Sequence, residues 1–170
     1  MAFVVLIGAS GSGKTTIARE VERCFARDTR VFYFDHIGVP PTGEMIAEFG
    51  SGEEWQRVKT IEWMKRLAKV ATAGRVLFEG QTRLTFLEEG AIAAGNLRYL
   101  PVLVDCDDAT REKRLVGERQ QPGLANTNMM NWASYLRHQA KERGCQILDT
   151  SKLSLEQSVS YVMTSLSQNS

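Results

Sequence analysis

Residues 3–16 read FVVLIGASGSGKTT, and no other stretch narrows the possible folds so far. Phe3-Val4-Val5-Leu6-Ile7 is an unbroken apolar run, the pattern of a strand buried on both faces of a parallel sheet rather than a half-solvated one. Beyond the loop, Ile17, Val21, Cys24 and Phe25 recur at helical spacing. The glycines between let the backbone wrap so that successive N–H groups point inward, and the helix that follows adds the positive end of its dipole. A strand, a glycine-rich turn and a helix in this order make a cradle for phosphate oxygens.

Gly8-x-x-x-x-Gly13-Lys14-Thr15 is the full P-loop (Walker A) pattern. The expected nucleotide-binding set is therefore Gly8, Ala9, Ser10, Gly11, Ser12, Gly13, Lys14, Thr15 and Thr16. Lys14 is expected to reach the β- and γ-phosphates of ATP and the Thr15 hydroxyl to coordinate Mg²⁺. Several P-loop classes are disfavoured. A GTPase would carry an Asn/Thr-Lys-x-Asp segment, and a transporter-type ATPase a Leu-Ser-Gly-Gly-Gln signature; neither is present. A motor or AAA machine would be longer and would show an acidic pair where this chain has Glu79-Gly80.

Further apolar runs at 31–34, 76–78, 99–104 and 146–148 read as four more strands, with Pro101 expected to delay the start of its strand. Between them, Trp55, Val58, Ile61, Met64, Leu67 and Ala71 form a helical stripe, as do Leu155, Val159, Val162 and Leu166. Ser51-x-x-Glu54 and Ser154-x-x-Gln157 are capping-box patterns at two helix starts. The fold class is α/β, a three-layer fold with a five-stranded parallel sheet between helices, and ligand is expected at the carboxyl ends of the strands. One domain over residues 1–170 is the simplest organisation, and Ser165–Ser170 reads as a frayed tail. The net charge of +1, from 21 basic and 20 acidic side chains, argues against a broad nucleic-acid or membrane footprint. Cys24, Cys106 and Cys145 are odd in number and widely spaced, which fits reduced cytoplasmic thiols better than disulfides or a zinc framework. With a strand beginning at residue 3 and no apolar run of membrane-spanning length, the chain is expected in the cytoplasm. Its oligomeric state is not legible.

Three further segments carry a resemblance. VLFEGQTR at 76–83 looks like the adenylate-kinase-type segment in which a strand ends Asp-Gly-Phe-Pro-Arg, with Glu79, Gly80 and Arg83 on the acid, glycine and arginine positions. RLVGER at 114–119 is similar to the Arg-Ile-Val-Gly-Arg-Arg run leading into the LID of those kinases. ILDTSKLSLEQSV at 147–159 resembles their last strand, the loop beside the adenine and the closing helix. The chain thus resembles the P-loop small-molecule kinases, with adenylate, shikimate and gluconate kinases as relatives. It departs from them at Glu79, at Gln81-Thr82 in place of Phe-Pro, and at Glu118 in place of a LID arginine. Residues 36–66 also lack the Gly-Asp-x-x-Arg pattern of the adenylate-kinase type.

The resemblance implies a kinase with a mobile LID over 119–137 and an acceptor-side helical region over 36–73. Glu79 would hold Mg²⁺ with Thr15. Asp35, closing the second strand, stands where shikimate- and gluconate-kinase-like proteins touch the acceptor hydroxyl, and a carboxylate there can take its proton; adjacent His36 is a rival base. Arg83 would bind acceptor or γ-phosphate. Arg119 would reach the phosphates from the LID side while Arg114 packs on the adenine. In an ideal helix those two side chains diverge by roughly 140°, so the helix is expected to end between them, at Gly117. Arg111 and Arg137 read as solvated charges on helix faces. The polar segment Gln120–Asn131 reads as a closing loop and, holding no cysteine, excludes a zinc-bearing LID. The expected function is ATP- and Mg²⁺-dependent transfer of the γ-phosphoryl to a hydroxyl of a small metabolite or nucleoside. The alternatives are a nucleoside monophosphate kinase and a nucleotide-binding regulatory protein with little turnover.

Overall fold

The computed structural model describes residues 2–168. Five parallel strands lie in the order β2-β3-β1-β4-β5: β1 (Phe3–Ile7), β2 (Thr29–Tyr33), β3 (Arg75–Gly80), β4 (Leu100–Asp105) and β5 (Gln146–Asp149). Every residue of β1 is buried, as its uninterrupted apolar run requires. Its alternate side chains feed two core layers. Phe3, Val5 and Ile7 pack with Phe34, Trp63, Met64, Leu67 and Leu136 on one face, while Val4 and Leu6 meet Ile17, Val21, Val162 and Leu166 on the other.

Seven α-helices surround the sheet: α1 (Lys14–Phe25), α2 (Thr42–Phe49), α3 (Gly52–Ala71), α4 (Leu84–Ala93), α5 (Asp108–Lys113), α6 (Thr127–Glu142) and α7 (Leu155–Gln168). Ser51 caps α3 by accepting from the Glu54 amide at 3.0 Å. The Ser154–Gln157 box before α7 closes in both directions, at 2.9 and 3.1 Å. The tail expected to fray from Ser165 is instead helical through Gln168, because Leu166 is buried against the sheet; Asn169 and Ser170 lie outside the described residues.

Strand boundaries shift by one or two residues from expectation at most ends of β2 to β5, and two of these shifts are instructive, one for function. β4 begins at Leu100, with Pro101 inside it. Proline is tolerated there because β5 starts pairing only at Val102, opposite Gln146. β2 ends at Tyr33, before Phe34, and the chain turns through a single 3₁₀ turn over Phe34–Ile37. Phe34 is buried edge-on against Trp55, with ring centroids 5.8 Å apart. Gly80 makes room for it: a Cβ there would stand 2.7 Å from the Phe34 Cβ. That turn lifts Asp35 out of the strand and exposes it beyond the carboxyl edge of the sheet.

Candidate active site

The P-loop leaves β1 at the point where the sheet's strand order reverses, β3 lying on one side of β1 and β4 on the other. Gly8 passes so close to β4 that a Cβ would collide with the Val104 carbonyl oxygen. Gly13, at φ 93°, turns the chain into α1 without any side-chain cap on the helix. The first-turn amides of that helix have no intrahelical acceptor by construction.

Three of the loop's carbonyls, those of Ser10, Gly11 and Ser12, are held from behind. Arg111 donates to the Ser10 oxygen at 2.8 Å. Arg114 reaches the oxygens of Gly11 and Ser12 at 3.3 and 3.4 Å, and Thr150 Oγ1 donates to the Ser12 oxygen at 2.7 Å. In a planar trans peptide the C=O and the following N–H point in opposite directions. Pulling the Ser10 and Ser12 oxygens outward therefore turns the Gly11 and Gly13 amides inward. They face a cavity of about 440 Å³, which Lys14, Thr15, Thr16, Arg114, Arg119 and Thr150 help to line.

Arg111 is where the structure departs most from expectation. It is no solvated helix charge but 0% exposed. It donates to Asp105 Oδ1 at 2.7 Å, and the other oxygen of that carboxylate takes Arg137 Nε at 2.6 Å. Arg137 is likewise tied down rather than free. An Arg–Asp–Arg chain thus runs from the P-loop through the end of β4 to α6. Sequence reading missed Asp105 and Thr150 altogether, although the Asp105–Arg111 spacing across a helix start was a possible signal.

Arg114 and Arg119 do come together, by another route than the expected one. The helix does not end at Gly117. It widens into one π-turn over Arg114–Glu118, with the Arg119 amide bonded to the Arg114 carbonyl at 2.9 Å. An i→i+5 bond stacks those two residues on the same face, and both side chains line the P-loop cavity.

Glu79 closes the loop's other side. Parallel register places it between Leu6 of β1 and Tyr33 of β2. Its two carboxylate oxygens each lie 3.3 Å from the Thr15 hydroxyl. Glu79 is 5% and Lys14 8% exposed. Burial raises the Glu79 carboxyl above the ordinary carboxylate range, against the pull of Lys14, while Asp35 pushes the same way as burial. Burial likewise lowers Lys14, partly offset by Glu79. Both groups have lost water that nothing in the protein fully replaces. A hydroxyl with a carboxylate is the oxygen donor set of a hard divalent cation such as Mg²⁺. Among the described residues no three His, Cys, Asp or Glu side chains converge to enclose a metal, so a cation at Thr15 and Glu79 would need oxygen ligands from outside the protein, such as phosphates.

A second cavity of about 540 Å³ adjoins the first and shares Lys14, Thr15 and Arg119 with it. Asp35, Trp55, Gln56, Glu79 and Gln81 line its far side. Asp35 faces this space, whereas His36 does not line it and rests its ring 4.9 Å from that of Tyr33. Arg83, expected to bind acceptor or γ-phosphate, lines neither cavity. Its guanidinium bonds Glu53 and Gln56, each at 3.0 Å, and sits over Trp132, Phe86 and Tyr135 at 4.9, 5.3 and 5.6 Å. Trp132 and Tyr135 lie on α6, whose contribution to this region no local sequence pattern disclosed.

A glycine loop after the central strand, a carboxylate at the neighbouring strand end and two cavities sharing Lys14 define the P-loop kinase fold. More particularly, a family model described as an AAA domain matches residues 4–131, and the chain belongs to that family, even though β3 ends in Glu79-Gly80 rather than an acidic pair. Among solved structures, an unliganded sugar kinase from Janibacter sp. HTCC2649 superposes with a TM-score of 0.67 at 20% identity, over 98% of this chain and 95% of that one. A shikimate kinase from Acinetobacter baumannii in complex with shikimate gives 0.62 at 13% identity, over 99% and 93%. A gluconokinase from Sinorhizobium meliloti 1021 gives 0.61 at 16%, also over 99% and 93%. These likenesses are likenesses of fold. A comparison with curated proteins found no match.

Proposed function

We propose that this chain is an ATP- and Mg²⁺-dependent kinase that transfers the γ-phosphoryl group to a hydroxyl of a small acceptor. One observation carries the reading: the cavity over the P-loop and the cavity beside Asp35 meet at Lys14 and Arg119. A nucleotide-binding regulatory protein needs only the first of these. Solved structures of the same fold include a shikimate kinase in complex with shikimate, a sugar kinase and a gluconokinase, which supports a hydroxyl acceptor here.

In this reading the inward amides and Lys14 hold the β- and γ-phosphates, Arg119 covers the transferring group, and Arg114 borders the nucleotide's base side. Bound Mg²⁺, held by Thr15 and Glu79, would neutralise charge on the phosphate oxygens. The acceptor hydroxyl passes its proton to an Asp35 carboxylate oxygen as its own oxygen bonds to the γ-phosphorus. The bond from that phosphorus to the β–γ bridging oxygen breaks, and ADP leaves with the electron pair. Of residues 119–137, expected as the LID within a single domain, 119–126 would close over the nucleotide, whereas 127–137 lie in α6 with Ala133 and Leu136 buried in the core. Free cysteines at 24, 106 and 145, with no described helix long and apolar enough to cross a membrane, support a cytoplasmic setting.

A nucleoside monophosphate acceptor is disfavoured, because its phosphate carries about two negative charges and needs fixed cations. Arg57 is paired with Glu54 and Glu89 at 2.8 and 2.7 Å, and Lys59 with Glu62 at 3.0 Å. The test measures ADP formation with ATP, Mg²⁺ and a panel of hydroxyl compounds and nucleoside monophosphates, in wild type and Asp35→Asn. Transfer to a hydroxyl compound, lost in Asp35→Asn with nucleotide affinity retained, is expected. Efficient phosphorylation of AMP, CMP, UMP or GMP by an active Asp35→Asn variant would overturn the reading.

A further inference from the structure

We propose that the cavity beside Asp35 takes an uncharged polyhydroxylated acceptor, whose hydroxyls are read by the carboxamides of Gln56 and Gln81. The inference rests on the phosphotransfer reading above and adds the acceptor's chemical class. Two carboxylates, Asp35 and Glu79, line this cavity, and among the described residues its only lining cations are Lys14 and Arg119. Both cations also line the P-loop cavity, where a triphosphate would claim them. An acceptor carrying a carboxylate or phosphate would then face Asp35 with no positive charge of its own to meet. Arg83 could have supplied one, but Glu53, Gln56 and three aromatic rings hold it outside.

What Arg83 does instead is orient Gln56. A guanidinium can only donate and a backbone carbonyl can only accept. Gln56 takes the Arg83 bond on Oε1 at 3.0 Å and gives a bond from Nε2 to the Gln81 carbonyl at 2.8 Å. Those two partners permit one orientation of the amide. They leave it one further N–H and one further lone pair, a donor and an acceptor on one amide, which together complement hydroxyls. Gln81 accepts the Ser10 hydroxyl on Oε1 at 3.1 Å, so its amide hydrogens remain to donate. Asp35 accepts. A polyol both donates and accepts, whereas a carboxylate cannot donate to Asp35.

The walls suit such a molecule. Trp55, 5% exposed, lines the space with Phe34 and Val39, giving an apolar surface for the C–H face of a ring. A volume of about 540 Å³ admits a sugar or a nucleoside. Arg83 is accordingly a positioning residue rather than a catalytic one.

The experiment uses the full chain with ATP and Mg²⁺ against four groups: neutral sugars and polyols, nucleosides, sugar acids, and sugar or nucleoside monophosphates. Phosphotransfer is followed by ADP release, and binding to the protein loaded with a non-hydrolysable ATP analogue by calorimetry. Transfer is expected only to a neutral group, and the first two arms separate sugar from nucleoside. Gln81→Leu and Gln56→Leu are each expected to raise the acceptor KM ten- to a hundred-fold while the ATP KM stays within two-fold. Arg83→Met should raise the acceptor KM with kcat within three-fold, and Arg83→Lys should recover part of it; a merely structural arginine would not split KM from kcat. Use of acids or phosphates as well as neutral compounds, or Gln56→Leu and Gln81→Leu with unchanged acceptor KM, overturns the acceptor class and leaves phosphotransfer standing. Neither transfer to nor binding of any compound overturns both.

Discussion

Replacing Arg111 with methionine tests whether the P-loop is held in shape from behind. Methionine retains much of the aliphatic volume, so the change is chiefly the loss of the guanidinium. It strands two close acceptors, the Ser10 carbonyl at 2.8 Å and Asp105 Oδ1 at 2.7 Å, and removes a longer bond to the Cys106 carbonyl at 3.3 Å, in a region where Arg111 is wholly buried. A buried acceptor left without its partner costs about 1–3 kcal/mol, so the pair amounts to about 2–6 kcal/mol. Breaking a buried ion pair by removing one side costs about 3–5 kcal/mol. Asp105 keeps Arg137 on its other oxygen at 2.6 Å, so its charge is not left alone, and the lower half of that range is expected, about 3 kcal/mol. For a chain of this size that corresponds to a fall in Tm of roughly 6–12 °C. Urea denaturation followed by far-UV circular dichroism gives the stability, and titration with an ATP analogue gives the Kd, which should rise about ten-fold, roughly 1.4 kcal/mol, as the Gly11 amide loses its enforced direction. A solvated helix arginine would change stability by no more than about 0.5 kcal/mol. Arg111→Met with that small an effect and unchanged nucleotide affinity would refute the clamp.

Lys14→Ala should abolish phosphotransfer while leaving the fold intact, since a charge that loses its water on burial stabilises the ligand more than the apoprotein; near-normal transfer by the variant would mean the loop has been misread. Glu79→Gln should keep nucleotide affinity and reduce turnover by at least a hundred-fold, about 2.7 kcal/mol for one lost electrostatic contact in the site, as measured by titration beside phosphotransfer. Burial raises Glu79, so the folded apoprotein keeps a proton there that the unfolded chain has already released. The contribution of Glu79 to stability is therefore present at low pH and lost as pH rises from the ordinary carboxylate range through the raised value. Since the cation needs the deprotonated form, the acid limb of kcat/KM should lie above the ordinary carboxylate range. Glu79→Gln should remove the stability slope, and a wild-type acid limb within the ordinary range would contradict it.

The amino-acid order determined everything that depends on neighbours along the chain. An all-apolar Phe3–Ile7 can only be a strand covered on both sides, Gly8 to Thr15 can only wrap as they do, and Ser51 and Ser154 cap their helices through bonds three residues long. The parallel sheet and the phosphate cradle with Lys14 and Thr15 were legible on that basis, whereas Asp35, Glu79 and Arg119 became candidates through the resemblance to P-loop small-molecule kinases. Tertiary structure decided which charges face ligand and which hold the protein together. Arg83 and Arg111 look alike in sequence to any ligand-seeking or solvated arginine. Their fates depend on Trp132 and Tyr135, on Asp105 and on the Ser10 carbonyl, groups brought to them only when α6, the end of β4 and the P-loop pack together. The π-turn that stacks Arg114 with Arg119 is equally invisible locally, because Gly117 permits a helix end as readily as a widened turn. A long, flexible cation bonds whatever acceptor the folded chain sets within its reach, and acceptors as far as 103 residues away leave no periodicity for a sequence to show.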